Sequence, residues 1–309
     1  MTALETLRQW TTVVADTGDI DEIIRVKPTE ATTNPSLILK AANSPRGESF
    51  IRAALTAKES PAERIDRILV GFGTSILEHI PGRVSTEVDA RLSFDVEGPV
   101  AKARRIIGLY EAAGVSRDRV LIKIAATWEG AQAVRILESE EIHCNMTLIF
   151  DVVQAIAVAQ SGGTLISPFV GRIRDWHKAA AGDAWVDADN EGPADPGVRS
   201  VTEIFRTLKA AGSRTQIMGA SFRNLEEIRA IAGCDLLTIA PKFIDALENS
   251  EEPLERRLDA DAIAVTGPVS IGEVEFRTRL NASAMATEKL SQGIRAFVAD
   301  TEKLENMLL

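Results

Sequence analysis

Val120-Leu121-Ile122-Lys123-Ile124-Ala125-Ala126-Thr127 is an apolar run that carries one lysine. A helical pattern over 129–139 follows it, and then a second apolar run over 143–149. A short buried strand, an amphipathic helix and another short strand make a parallel pair joined by a crossover helix. The same unit recurs on both sides. Strands are expected at 12–17, 30–34, 84–90, 120–126, 143–149, 165–169, 216–221 and 236–240, and helices at 98–113, 129–139, 152–160, 198–211 and 224–232. Gly114, Gly212 and Gly233 each follow such a helix, where a left-handed residue ends it. About eight units in 309 residues point to a single α/β domain over 1–309, a (β/α)8 TIM barrel. A doubly wound sheet is the alternative, but no G-x-G-x-x-G follows the first strand. The polar stretch 182–197, with Pro193 and Pro196, reads as an exposed loop. From Ile271 onward the chain reads as additional C-terminal helices, with Glu273, Arg277 and Lys289 on polar positions, expected to pack over the outside of the barrel.

Composition narrows the function classes. The formal net charge is −10, which argues against partners such as nucleic-acid backbone or an anionic membrane. A few local arginines can still hold a small anion on an acidic protein. The two cysteines, Cys144 and Cys234, lie in apolar runs and read as small buried hydrophobes in a reducing cytosol. His79, His143 and His177 are scattered, and no Cys/His spacing suits a metal. The N-terminus has no basic region followed by an apolar stretch, and no apolar run is long enough to span a bilayer.

Lys123 has two readings. It either snorkels to water or pairs with a carboxylate at a strand end, or it is a desolvated amine able to attack a carbonyl. The other strands bear on the choice. Side chains alternate faces along a strand, and polar residues repeat on one parity: Asp16 with Thr12, Asn34 with Thr32, Glu87 with Ser85, Thr147 with Asn145, and Ser167 with Leu165 and Phe169. Faces toward the helices are apolar, so these polar faces are expected to line the barrel interior at its C-terminal end, where such barrels keep their sites. A structural ion-pair network is the bland alternative. Two carboxylates in different surroundings can divide proton donation and acceptance around a Schiff base. A second cluster suits a phosphate: Arg172 after one strand, with Ser221 and Arg223 after another, converging on free N–H groups at a helix start.

Several stretches then match a known family in order: Ala31-Thr32-Thr33-Asn34-Pro35-Ser36-Leu37, Val84-Ser85-Thr86-Glu87-Val88-Asp89-Ala90-Arg91, the Lys123 strand, Cys144-Asn145-Met146-Thr147-Leu148, Ile166-Ser167-Pro168-Phe169-Val170-Gly171-Arg172 and Met218-Gly219-Ala220-Ser221-Phe222-Arg223-Asn224. The chain resembles the transaldolases, of the full-length bacterial and eukaryotic subfamily, over nearly its whole length. The resemblance implies transfer of a dihydroxyacetone unit between sugar phosphates in the non-oxidative pentose phosphate pathway, in the cytoplasm, by a homodimer without metal or cofactor. It implies Lys123 as the Schiff-base lysine, and Glu87 with Thr147 and a bound water as proton relay. Asp16 becomes the base of the carbon–carbon cleavage. Asn34 and Asn145 hold hydroxyls, Thr32 and Ser167 line the pocket, and Arg172, Ser221 and Arg223 hold phosphate. Related aldolases carry tyrosine where this chain has Phe169, so the resemblance favours transferase over aldolase. An aldolase and a non-catalytic sugar-phosphate-binding barrel remain as alternatives.

Overall fold

The computed structural model describes residues 1–56 and 58–308. Among these residues eight parallel strands close into a barrel in sequence order: β1 (Thr12–Asp16), β2 (Glu30–Thr32), β3 (Val84–Glu87), β4 (Val120–Ala125), β5 (Cys144–Ile149), β6 (Leu165–Pro168), β7 (Gln216–Gly219) and β8 (Leu236–Ile239). β8 pairs with β1 and closes the ring. The expected strands are all present, one to three residues shorter. Gly114, Gly212 and Gly233 have φ of 81°, 67° and 97°, the left-handed ends expected of them.

Alternation along the strands builds two cores. Val13, Ala15, Ile122, Ile124, Cys144, Met146, Ile166, Ile217 and Leu237 face outward into the layer beneath the helices. The opposite parity fills the interior in tiers. Near the N-terminal end Arg83 bridges Glu30 (2.7 Å) and Gln216 (2.9 Å). Above it Val14, Leu121, Leu165, Met218 and Leu236 form an apolar plug. The polar residues of the next tier stand on that plug, at the C-terminal end of the strands.

Two features depart from the sequence expectation. The stretch 182–197 winds as three short 3-10 turns, and its end tucks inward: Asp195 is fully buried and caps the helix Pro196–Ala210. More consequentially, the C-terminal helices do not stay outside the barrel. Glu273–Ala282 packs on the side, where Phe276 stacks near Trp128 (centroids 5.5 Å apart). The long helix Ala284–Asn306 crosses the C-terminal mouth. Its stripe of Ala286, Leu290, Ile294 and Phe297, at helical spacing, buries against Leu148, Phe150, Phe169 and Ile173. The registry of β5 explains part of this. Its pairing with β6 shifts between Met146 and Ile149, and Leu148 takes φ 58°, so the bulge turns Leu148 toward the helix instead of outward. Among the described residues no helix is long and apolar enough to cross a membrane.

Candidate active site

Lys123 is 5 % exposed, at the centre of the upper tier. Its Nζ donates to the Thr33 carbonyl at 3.2 Å and lies 3.2 Å from Glu87 Oε2 on the neighbouring strand. The Glu87 contact is an ion pair without hydrogen-bond alignment: Oε2 has no hydrogen-bond partner, and neither does the buried Thr147 Oγ1. Burial raises the Glu87 carboxyl above its ordinary range, while Lys123 and then Arg172 pull it back. Asp16 is raised by burial too, against the opposing effects of Lys123, the Thr32 hydroxyl and Arg172. A buried carboxylate and a half-buried one thus share one buried amine, which is the setting for passing protons rather than for a strong structural salt bridge.

Hydroxyls and amides surround these charges. Thr32 Oγ1 meets Thr238 Oγ1 at 2.7 Å and donates to Asp16 Oδ1 at 3.3 Å. Asn145 donates to Ser85 Oγ (2.9 Å) and accepts from Ser167 Oγ (2.6 Å). Asn34 Oδ1 accepts from the Leu37 N–H and caps the next helix, leaving its NH2 to point elsewhere. One cavity is lined by Asp16, Thr32, Asn34, Lys123, Ser167, Phe169, Arg172, Ser221 and Arg223. Glu87, Asn145 and Thr147 belong to its buried backing, beside or behind Lys123.

The cationic end of the cavity is a platform made from two loops. Phe169 bridges Ala220, the Val170 N–H donates to the Ala220 carbonyl (2.8 Å), and the Gly171 N–H donates to the Ser221 carbonyl (2.7 Å). A Cβ on Gly171 would lie 2.3 Å from the Ser221 oxygen and 2.7 Å from Arg223 Cγ. Gly171→Ala is therefore expected to part the loops, lowering Tm by roughly 5 °C and raising KM for phosphorylated substrates; thermal melts and steady-state kinetics check both. Arg172 makes no hydrogen bond or ion pair among the described residues, and its guanidinium sits 4.9 Å from the Phe169 ring centroid and 5.7 Å from that of Phe297. Arg223 is held by Asp175 at 2.6 Å and by Ser221 Oγ at 3.3 Å. At the helix start after β7 two N–H groups are already taken, that of Arg223 by Glu227 Oε2 and that of Glu227 by Asn224 Oδ1.

A family model described as transaldolase/fructose-6-phosphate aldolase matches residues 13–308. The chain belongs to the transaldolase/fructose-6-phosphate aldolase family. A transaldolase of Methylibium petroleiphilum (strain ATCC BAA-1232 / LMG 22953 / PM1) is 54% identical over 309 residues, spanning 99% of this chain and 98% of that relative. Both names in the family description are enzymes, and this protein is an enzyme.

Sequence reasoning missed Phe297, Thr238 and Thr33 in this enzyme. Thr238 shares the interior parity of Leu236, so alternation contained it. Phe297 lay in a visible stripe of the last helix, but nothing local told which surface that stripe covers. Thr33 acts through its backbone carbonyl, which no side-chain pattern reports.

Proposed function

We propose that the enzyme is a transaldolase working through a Schiff base on Lys123. The observation that carries this is the Lys123–Glu87–Asp16 cluster, a buried amine between two carboxylates of raised pKa, open to a cavity with a cationic end. A non-catalytic binding barrel has no use for that arrangement. Lys123 Nζ attacks the ketone carbon of a sugar phosphate, and a proton reaches the former carbonyl oxygen. Glu87 and Thr147 serve that transfer, since Glu87 Oε2 and Thr147 Oγ1 have no hydrogen-bond partner of their own beside the amine strand, and loss of water leaves the imine. Asp16 takes the proton from the hydroxyl next to the breaking bond. The bond electrons move into the imine, the aldehyde leaves, and a three-carbon enamine stays on Lys123. Addition to an acceptor aldehyde returns the proton from Asp16, and hydrolysis frees the new ketose phosphate. Asn34, Asn145, Thr32 and Ser167 orient hydroxyls, and Arg172, Ser221 and Arg223 bind phosphate. Cytoplasmic location and a dimeric state, which light scattering measures, belong to the same proposal.

Phe169 favours transfer over simple cleavage. Its ring packs edge-on against Phe150 at 5.5 Å and beneath Arg172, and offers no hydroxyl to orient water toward the enamine. Phe169→Tyr is expected to raise release of free dihydroxyacetone from fructose 6-phosphate by about tenfold, a change of about 1.4 kcal/mol in barrier. An unchanged release rate counts against this role. The reading as a whole is tested by borohydride reduction with fructose 6-phosphate and no acceptor, followed by peptide mass mapping. A three-carbon adduct on Lys123 supports it, and absence of any lysine adduct in folded protein sinks it.

A further inference from the structure

The loop presenting Ser221 and Arg223 is fastened at both ends. Ser221 has φ 66°, a left-handed conformation that costs a residue with a side chain of the order of 1 kcal/mol. Upstream, the Ala220 and Ser221 carbonyls are held by the Val170 and Gly171 N–H groups. Downstream, the Arg223 N–H donates to Glu227 Oε2 at 2.6 Å. Glu227 lies in the first turn of the helix Leu225–Ala230, four residues beyond the amide it holds.

Acidic residues in first turns often reach back to the N–H of the capping residue, and this chain does so with Glu5 to Thr2 and Glu63 to Ser60. Glu5 is exposed and the Glu63 side chain is 43% exposed, and the backbone and hydroxyl of Ser60 pull the Glu63 carboxyl below its ordinary range. Glu227 differs in both reach and setting. It passes over the cap residue Asn224 to the amide before it, and it is fully buried. Burial pushes its carboxyl up to about 7. The Arg223 amide bond works against this, buried Asp195 adds to it, and Arg174 and Arg223 oppose it. Its remaining contact, from the Asn224 amide, is long at 3.5 Å. A helix start can be capped at the surface cheaply, whereas a buried carboxylate beside another is costly. Here its one short bond goes to the backbone of Arg223.

We propose that Glu227 is a positioning residue for the phosphate end of the substrate: its buried carboxylate pins the Arg223 amide and so holds Ser221 in its left-handed turn toward the cavity. The inference rests on Arg172, Ser221 and Arg223 being the phosphate site. The experiment compares kcat and KM of Glu227→Ala, Glu227→Gln and Arg172→Ala with glyceraldehyde 3-phosphate and with unphosphorylated glyceraldehyde as acceptor. Glu227→Ala is expected to raise KM for the phosphorylated acceptor about tenfold, the weight of one hydrogen bond to a charged group, with kcat and the unphosphorylated acceptor almost unchanged. Glu227→Gln keeps an acceptor oxygen and is expected to recover most of that loss. Should the alanine variant not fold, Glu227→Asn, one methylene too short to reach, takes its place. An equal effect on both acceptors, or none on either, overturns the inference if Arg172→Ala still weakens the phosphorylated one selectively. If Arg172→Ala shows no such selectivity, the phosphate-site reading falls and takes the inference with it.

Discussion

Lys123→Met is expected to lower kcat by about 10⁶-fold, the scale seen when a covalent nucleophile is removed, and to abolish borohydride trapping. The cause is specific to the amine. Methionine fills nearly the same space and stands comfortably on the plug of Val14, Leu121, Leu165, Met218 and Leu236, so the barrel has no reason to open. With the amine gone, Glu87 and Asp16 lose the cation that holds their raised pKa values partly in check, and both become easier to protonate. Tm is expected to stay within a few degrees of the parent, since the carboxyls beside the methionine can take up protons and no large cavity is made. Kinetics, trapping and a thermal melt on one preparation check all three, and turnover retained by the variant removes Lys123 from the proposed chemistry.

Asp16→Asn is expected to lower kcat for transfer by about 10²–10⁴-fold, the range of a lost general base. It should leave imine formation with dihydroxyacetone intact, because that ketone reacts with Lys123 without any carbon–carbon cleavage. The same substitution is expected to raise Tm at neutral pH. Burial lifts the Asp16 carboxyl, and Lys123, Thr32 and Arg172 only partly offset that. The folded chain therefore holds this proton more tightly than the unfolded chain does. Stability from the group is fully present below the ordinary carboxylate value and is lost as pH rises toward the raised one. At pH 7 the ionised form is a net cost, which asparagine removes while keeping an acceptor for Thr32. Melting curves at pH 5 and pH 8 check the sign: the gain from Asp16→Asn should be larger at pH 8. Equal loss of trapping and transfer would move Asp16 into imine formation instead.

What the sequence disclosed, and what it did not, follows from the range of the interactions. Alternation is local, so the tier of Asp16, Thr32, Glu87, Lys123, Asn145, Thr147 and Ser167 was readable strand by strand, and the helix-to-strand rhythm implied closure. The bulge at Leu148 was not readable, because a one-residue shift in pairing between β5 and β6 leaves no mark on the parity of either strand. The path of the helix Ala284–Asn306 was hidden for a similar reason. Its stripe of Leu290, Ile294 and Phe297 fits any apolar surface, and the surface it meets is assembled from Leu148, Phe169 and Ile173 of other units. By sequence Glu227 is an ordinary first-turn acid, and only its burial beside Asp195 sets it apart.

The position of Phe297 also has a meaning in time. A ribosome makes this chain from its N-terminus, and folding can begin before synthesis ends. Every strand of the barrel, with Asp16, Glu87, Lys123 and Arg172, has been synthesised once β8 has been made. The helix that roofs the mouth comes some forty-five residues later, tied down by Ser36 to Asp300 and by Arg91 to Glu305. A barrel that closes before that helix arrives has the cavity beside Lys123 without its Phe297 wall. The order of the chain thus places the amine and its carboxylates ahead of the wall that Phe297 adds to their cavity.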